Sequence, residues 1–152
     1  MSTFTKIYYK TFPKKYSDRL PDLFSGTPDL LFFGTENKQV IVAIFDERKD
    51  WDTGKTKKFF IGAANITFED FTLKKGKPKY NIYIDRFEIC KKYRNQGYGK
   101  HLFYRIRTLF DINEISLVHR TYDSGVSKKF WMEQGFKHDC GLGSQHLKYI
   151  EK

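Results

Sequence analysis

The sequence contains no apolar run long enough to cross a bilayer, and residues 1–6 lack the apolar segment of a secretory signal. Cysteine is scarce. Cys90 and Cys140 are too few for a disulfide framework, so a reducing cytosol is the compartment expected. Internal repeats, linkers and low-complexity segments are absent. The glycines of two common nucleotide loops are missing as well. In Arg94-Asn95-Gln96-Gly97-Tyr98-Gly99, a Walker-type loop would need glycine at 94 and Ser or Thr after Lys100, where the chain has Arg94 and His101. A dinucleotide fingerprint would need a third glycine at 102, which is Leu102.

What is present suffices for one domain with one core. The chain has 152 residues, of which 39% are hydrophobic and 18% aromatic, so global disorder is excluded. The net charge is +10. Such a charge suits coenzyme phosphates, nucleic acid or an acidic protein, or reflects a lysine-rich composition with no partner behind it. The charge is dispersed. The nearest thing to a basic block, residues 74–79, contains Gly76 and Pro78 and reads as a turn between strands.

The apolar pattern predicts strands over residues 5–10, 39–45, 59–68, 80–89 and 115–118, with 40–68 as a β-hairpin around a polar 46–58 connection. A short helix is expected over 16–24. Tyr98, Leu102, Ile106, Leu109 and Phe110 recur at helical spacing and predict an amphipathic helix behind the glycines. Asp123 and Ser124 suit the N-cap of a further helix carrying Val126, Phe130 and Trp131, which Gly135 would stop. Phe136 opens an extended segment, and residues 145–150 close the chain. The fold class expected is α/β in the mixed α+β sense, a mixed sheet with helices on its faces.

A loop of alternating glycines between a strand and a helix directs backbone N–H groups at an anion, and the helix dipole adds to the attraction. The remaining pattern, Arg-x-x-Gly-x-Gly after a strand, resembles the pyrophosphate loop of the GNAT acyltransferases, which bind acetyl-coenzyme A. Two further stretches carry the resemblance. Phe87-Glu88-Ile89 takes the place of the family's splayed, bulged strand, and Phe130-Trp131-Met132-Glu133-Gln134-Gly135-Phe136 looks like its late helix ending in Gly-Phe. The resemblance covers about residues 80–138 and implies a mostly antiparallel twisted sheet. It also implies that the amides of Arg94, Asn95, Gln96, Gly97, Tyr98, Gly99 and Lys100 hold the pyrophosphate, and that backbone groups at Phe87 and Ile89 meet the pantetheine arm and thioester. Ser124 stands where the family often has Asn, and Trp131 where it often has the tyrosine that protonates the departing thiolate. An indole N–H donates hydrogen bonds but is too weak an acid to replace that tyrosine, leaving Trp131 an orienting role at the sulfur.

Transfer to an amine needs a base, because an ammonium has no lone pair. Glu88 and Asp85 are the carboxylates on the bordering strand, and they point to opposite faces unless a bulge intervenes. Glu88 is the candidate base, its alternative being a surface ion pair with Arg86 or Lys91. Tyr122 is the candidate acid, and Tyr93 reads as packing. His138, Cys140 and His146 fit no established zinc spacing, and Cys90 reads as a buried structural thiol. Trp51 either covers substrate or folds back on the hairpin. The activity expected is an acetyl-coenzyme A dependent N-acetyltransferase acting on a small molecule or protein amine. Its alternatives are a silent coenzyme-binding module and a nucleic-acid-directed protein. Exposed edge strands leave monomer and homodimer open.

Overall fold

The computed structural model describes residues 2–9, 12–20, 39–118, 128–138 and 146–151. Among the described residues seven strands form one sheet: β1 (Ser2–Tyr8), β2 (Gln39–Lys49), β3 (Thr56–Lys74), β4 (Lys77–Ile89), β5 (Ile112–Val118), β6 (Lys137–His138) and β7 (His146–Ile150). Their spatial order is β1-β2-β3-β4-β5-β7-β6. Only the β4–β5 pair is parallel; the others are antiparallel. The helices are α1 (Lys14–Ser17), α2 (Tyr98–Leu109) and α3 (Lys128–Glu133), with a 3-10 turn over Lys91–Tyr93. The architecture is the mixed, mostly antiparallel α+β sheet that the sequence implied. Among the described residues no helix is long and apolar enough to cross a membrane.

The strands exceed their apolar cores. β2 continues to Lys49 and β3 begins at Thr56, so the connection is residues 50–55, not 46–58. Polar side chains on an exposed strand end carry no period-2 signal, but cross-strand pairing still holds their backbone. Likewise β3 and β4 run on to a turn at Lys75 and Gly76, whose φ values of 54° and 77° suit a two-residue hairpin turn. The early helix is a single turn over Lys14–Ser17 instead of 16–24, whose last residues lie outside the described ones.

The two sheet faces bury different clusters. On the first, Val42, Ile44, Ala64, Ile66, Ile82, Ile84, Phe87 and Ile89 meet Leu102, Phe103 and Ile106 of α2 and Trp131 of α3. On the second, Ile41, Ala43, Phe45, Phe60 and Ala63 meet Phe12, Tyr16 and Leu20 around α1. Gly62 has no room for a side chain, because a Cβ there would lie 2.5 Å from the Glu88 carbonyl oxygen.

α3 ends in a hydrogen-bonded cap. The Phe136 amide bonds the Trp131 carbonyl, the Gly135 amide bonds that of Met132, and Gly135 takes φ 101°. Only glycine adopts that conformation cheaply, so the helix stops where the sequence said it would.

Candidate active site

β4 and β5 are joined only from Tyr80 to Tyr83. Beyond that point β5 stays paired with β7, while β4 continues to Ile89 held on one side by β3. Along residues 84–89 the edge of β4 that would face β5 has no paired strand among the described residues. Apart from the Ile89 carbonyl, which accepts from Arg94 Nε at 2.9 Å, its outward N–H and C=O groups are open to an extended ligand arm.

The glycine loop sits at the end of this parted strand. Asn95 and Gly97 have φ of 62° and 87°, and Gly97 caps α2, accepting the His101 amide at 3.1 Å. The amides of Tyr98, Gly99 and Lys100 open a twelve-residue helix and have no partner inside it. Space around Gly97 is open, whereas a Cβ on Gly99 would lie 3.3 Å from the Phe130 ring. Gly97 thus supplies the turn, and Gly99 lets α3 approach α2. The Arg94 side chain turns back to the strand: Nε donates to the Ile89 carbonyl at 2.9 Å, and the guanidinium lies 3.4 Å from Glu88 Oε1. The Arg94 amide donates to the Lys91 carbonyl at 3.3 Å, closing the 3-10 turn, while its side chain braces β4, so Arg94 serves the loop as a brace and not as an anion donor.

Glu88 is 1% exposed. The carboxylate is buried and not at the surface, and it pairs with Arg94. Asp85 sits in a bulge: Arg86 faces Asn65, Ile84 faces Ile66, and Asp85 lies between them unmatched. The bulge resets the alternation, so Phe87 and Ile89 join Ile82 and Ile84 in the helix-covered core. Glu88 then falls on the opposite face, across from Ala63. Asp85 lies on that same face, accepting the Thr67 hydroxyl at 2.5 Å. The two carboxylates therefore share a face, through the one exception that the alternation rule allowed. Burial raises the pKa of Asp85, and Thr67 and Arg86 oppose the shift.

Trp131 is 4% exposed and packs against Phe87, Phe103, Phe130 and Phe136 at ring distances of 4.9–5.7 Å. Cys90 is buried, its Sγ 3.8 Å from the Phe60 carbonyl, and desolvation pushes its pKa to about 11, which suits a structural thiol rather than a nucleophile. Tyr93 packs edge-on to Tyr98. Trp51 is exposed at the tip of the β2–β3 connection, with Lys49 over its ring. Among the described residues no group of His, Cys, Asp and Glu could hold a metal ion. Tyr122, Ser124 and Cys140 lie outside the described residues.

Two residues emerge only here. Asp46 is wholly buried and accepts hydrogen bonds from Thr3, at 2.6 Å, and from the Tyr98 hydroxyl. It ties the first residue of α2 to the sheet. That bond and burial raise the pKa of Tyr98. Asn65 is 3% exposed, and its Oδ1 has no hydrogen-bond partner among the described residues. The signal for both was in the sequence, as a carboxylate ending one apolar run and an amide interrupting another.

A mixed sheet parted beside a helix-capping glycine loop leaves a strand edge and free helix-start amides side by side. The family model described as "Acetyltransferase (GNAT) family" matches residues 1–136, and the chain belongs to that family. No curated protein sequence matches it. Solved structures share its fold at low identity. PaiA N-acetyltransferase from Thermoplasma acidophilum, in complex with coenzyme A, superposes with TM-score 0.60 at 13% identity, covering 99% of this chain and 100% of that one. Arabidopsis thaliana NAA60 in complex with acetyl-CoA gives 0.59 at 14%, covering 98% and 96%. A KacTA–DNA complex gives 0.59 at 14%, covering 98% and 93%.

Proposed function

We propose that the chain is an acetyl-coenzyme A dependent N-acetyltransferase that passes the acetyl group directly to a primary amine of a small molecule or protein. The observation that carries this reading is the parting of β4 from β5 beside the glycine loop, with Glu88 buried in the same strand. The site fits the coenzyme: the loop offers consecutive amides at a helix start, the space around Gly97 is open, and residues 84–89 present an unpaired edge.

The coenzyme supplies an activated acetyl thioester. The amides from Asn95 to Lys100 would hold its pyrophosphate, the Arg94 amide being taken by the Lys91 carbonyl, with Lys91, Lys92 and Lys100 adding positive charge. The β4 edge orients the pantetheine arm, and the amide of Phe87 or Ile89 serves as the oxyanion donor. Glu88, held at Oε1 by Arg94, takes the proton from the acceptor ammonium directly or through water. Ser124 keeps the coenzyme-binding role that the family resemblance implies, and Tyr122, at the end of the short strand, is the replacement acid for the position that Trp131 occupies. For Trp131, contact with the sulfur would rest on the small exposed edge of a ring otherwise held by the core. A reducing cytosol is the proposed compartment.

One observation favours a second reading. The position that usually carries the acid is a buried indole, which suits a module that binds coenzyme without turning it over. A third reading, a nucleic-acid-directed protein, draws on a cavity of about 660 Å³ lined by Arg19, Lys57, Lys58, Lys91 and Lys92.

Calorimetric titration with acetyl-coenzyme A, followed by thiol release over an amine panel, tests all three. Binding lost in Gly97→Glu together with release lost in Glu88→Gln supports the enzyme. Binding without release by any amine supports the silent module. No coenzyme binding, with salt-sensitive RNA binding instead, supports the third.

A further inference from the structure

β2 pairs β3 from Thr56 to Thr67, but the other side of β3 is open at its start. β4 ends at Ile89, opposite Gly62, while β3 begins at Thr56. Past Gly62 the chain after β4 meets β3 at Cys90, whose amide donates to the Ile61 carbonyl at 2.7 Å and whose Sγ lies 3.8 Å from the Phe60 carbonyl. Among the described residues no strand pairs that edge of β3 over residues 56–59. Alternate residues of an antiparallel strand turn their N–H and C=O groups to opposite neighbours, so half of the backbone groups in this stretch point to the open side.

The same stretch borders a cavity of about 660 Å³. Cations reach it from three separate segments: Arg19 after α1, Lys57 and Lys58 on β3, and Lys91 and Lys92 on the 3-10 turn. Phe59, Phe60 and Cys90 give it an apolar wall. Arg19 and Lys92 are close enough to the Cys90 thiol for their charges to oppose the rise of its pKa. Asp18 also lines the cavity, and Glu47 stands across from Lys58 on β2. Among the described residues none of the five cations forms a salt bridge.

The open edge and the cations ask for different things. An unpaired edge needs donors and acceptors in extended array, and the cations need negative charge. A phosphate brings charge and acceptors but no donors. An extended peptide with acidic side chains brings all three. Lysines on an open edge also deter pairing with another copy of this basic chain, and an acidic strand turns that repulsion into attraction.

We infer that the edge of β3 over residues 56–59 docks an extended acidic segment of a partner protein, which adds a strand to the sheet while its carboxylates meet Arg19, Lys57, Lys58, Lys91 and Lys92. This edge belongs to a different strand from the parted edge of β4, and the inference does not depend on coenzyme chemistry.

The test measures fluorescence anisotropy with three labelled heptapeptides. In the first, glutamate alternates with valine. The second has glutamine for glutamate. The third has proline for valine, which keeps the charge but cannot extend a ladder. The glutamate–valine peptide is expected to bind about tenfold or more tightly than either of the others, and to weaken as salt rises. Arg19→Gln combined with Lys58→Gln should lower its affinity about tenfold while leaving coenzyme binding and the melting temperature unchanged. Bound peptide should slow hydrogen exchange at amides within residues 56–59. Equal binding of the valine and proline peptides, or exchange at 56–59 that the peptide leaves unaltered, reduces the contact to charge attraction and overturns the added strand. Equal binding of the glutamate and glutamine peptides, or no binding of any, overturns the inference as well. RNA binding that the double variant abolishes, with no peptide bound, assigns the cavity to nucleic acid and overturns it too. A wild-type protein that binds the acidic peptide but no coenzyme upholds the docking edge and overturns the acetyltransferase reading alone.

Discussion

Arg94 and Glu88 join the two halves of the candidate site. The Arg94 guanidinium lies 3.4 Å from Glu88 Oε1 while its Nε holds the Ile89 carbonyl at 2.9 Å, so the residue that opens the glycine loop also fixes the carboxylate on β4. Lysine would keep the charge but lose the planar fork. Arg94→Lys should therefore weaken coenzyme binding modestly and lower kcat more, measured by titration and thiol release. Glu88→Gln should reduce kcat by about 10²–10⁴ with coenzyme affinity unchanged. Equal loss of both parameters in Glu88→Gln would remove it from proton transfer.

Gly97 caps α2 at φ 87°. Alanine there should cost about 1–2 kcal/mol in chemical denaturation, since a Cβ clashes in that region of backbone space although the surroundings are open. Gly97→Glu should add an anion where the phosphates would sit and abolish coenzyme binding.

Gly62 fails for a different reason. Its φ is unexceptional, but a Cβ would lie 2.5 Å from the Glu88 carbonyl and 2.8 Å from the Ile89 side chain. Gly62→Ala should destabilise by about 1–3 kcal/mol and displace Glu88, seen as a shifted urea midpoint with reduced turnover. A fully active Gly62→Ala protein would mean that the strand pair relaxes without moving the carboxylate.

The Tyr98–Asp46 bond makes alkaline stability a direct readout. The pKa of Tyr98 is raised by that bond first and by burial second, and burial is the leading cause at Tyr8 and Tyr149. A folded pKa above the unfolded value means that the native state holds its proton longer. The contribution is full below the unfolded pKa of about 10 and is lost as pH rises through the folded pKa. Tyr98→Phe should lower stability near neutrality by about 1–3 kcal/mol, because Asp46 loses a donor, and should flatten the alkaline decline. Denaturation midpoints between pH 7 and roughly 11 check both.

Cys90 should resist alkylation in the native protein at pH 8. Its thiol is buried, with a pKa of about 11. Peptide mapping after iodoacetamide treatment should find it modified only under denaturing conditions.

The sequence alone determined the elements whose period or punctuation is local. The stripe from Tyr98 to Phe110 could only be an amphipathic helix, and Gly135 could only end one. Lys75-Gly76 supplied the residues that a tight hairpin turn requires. Arg94 to Gly99 showed a phosphate-type loop because glycine spacing is a property of neighbouring residues.

Tertiary structure decided what depends on partners far along the chain. The extra residue at Asp85 appears only when β4 is laid against β3, and it decides that Asp85 and Glu88 share a face. Arg94, across the 3-10 turn, proved to be a partner of Glu88, because its side chain turns back to β4. Asp46, forty-three residues from Thr3 and fifty-two from Tyr98, acquires its role only through burial.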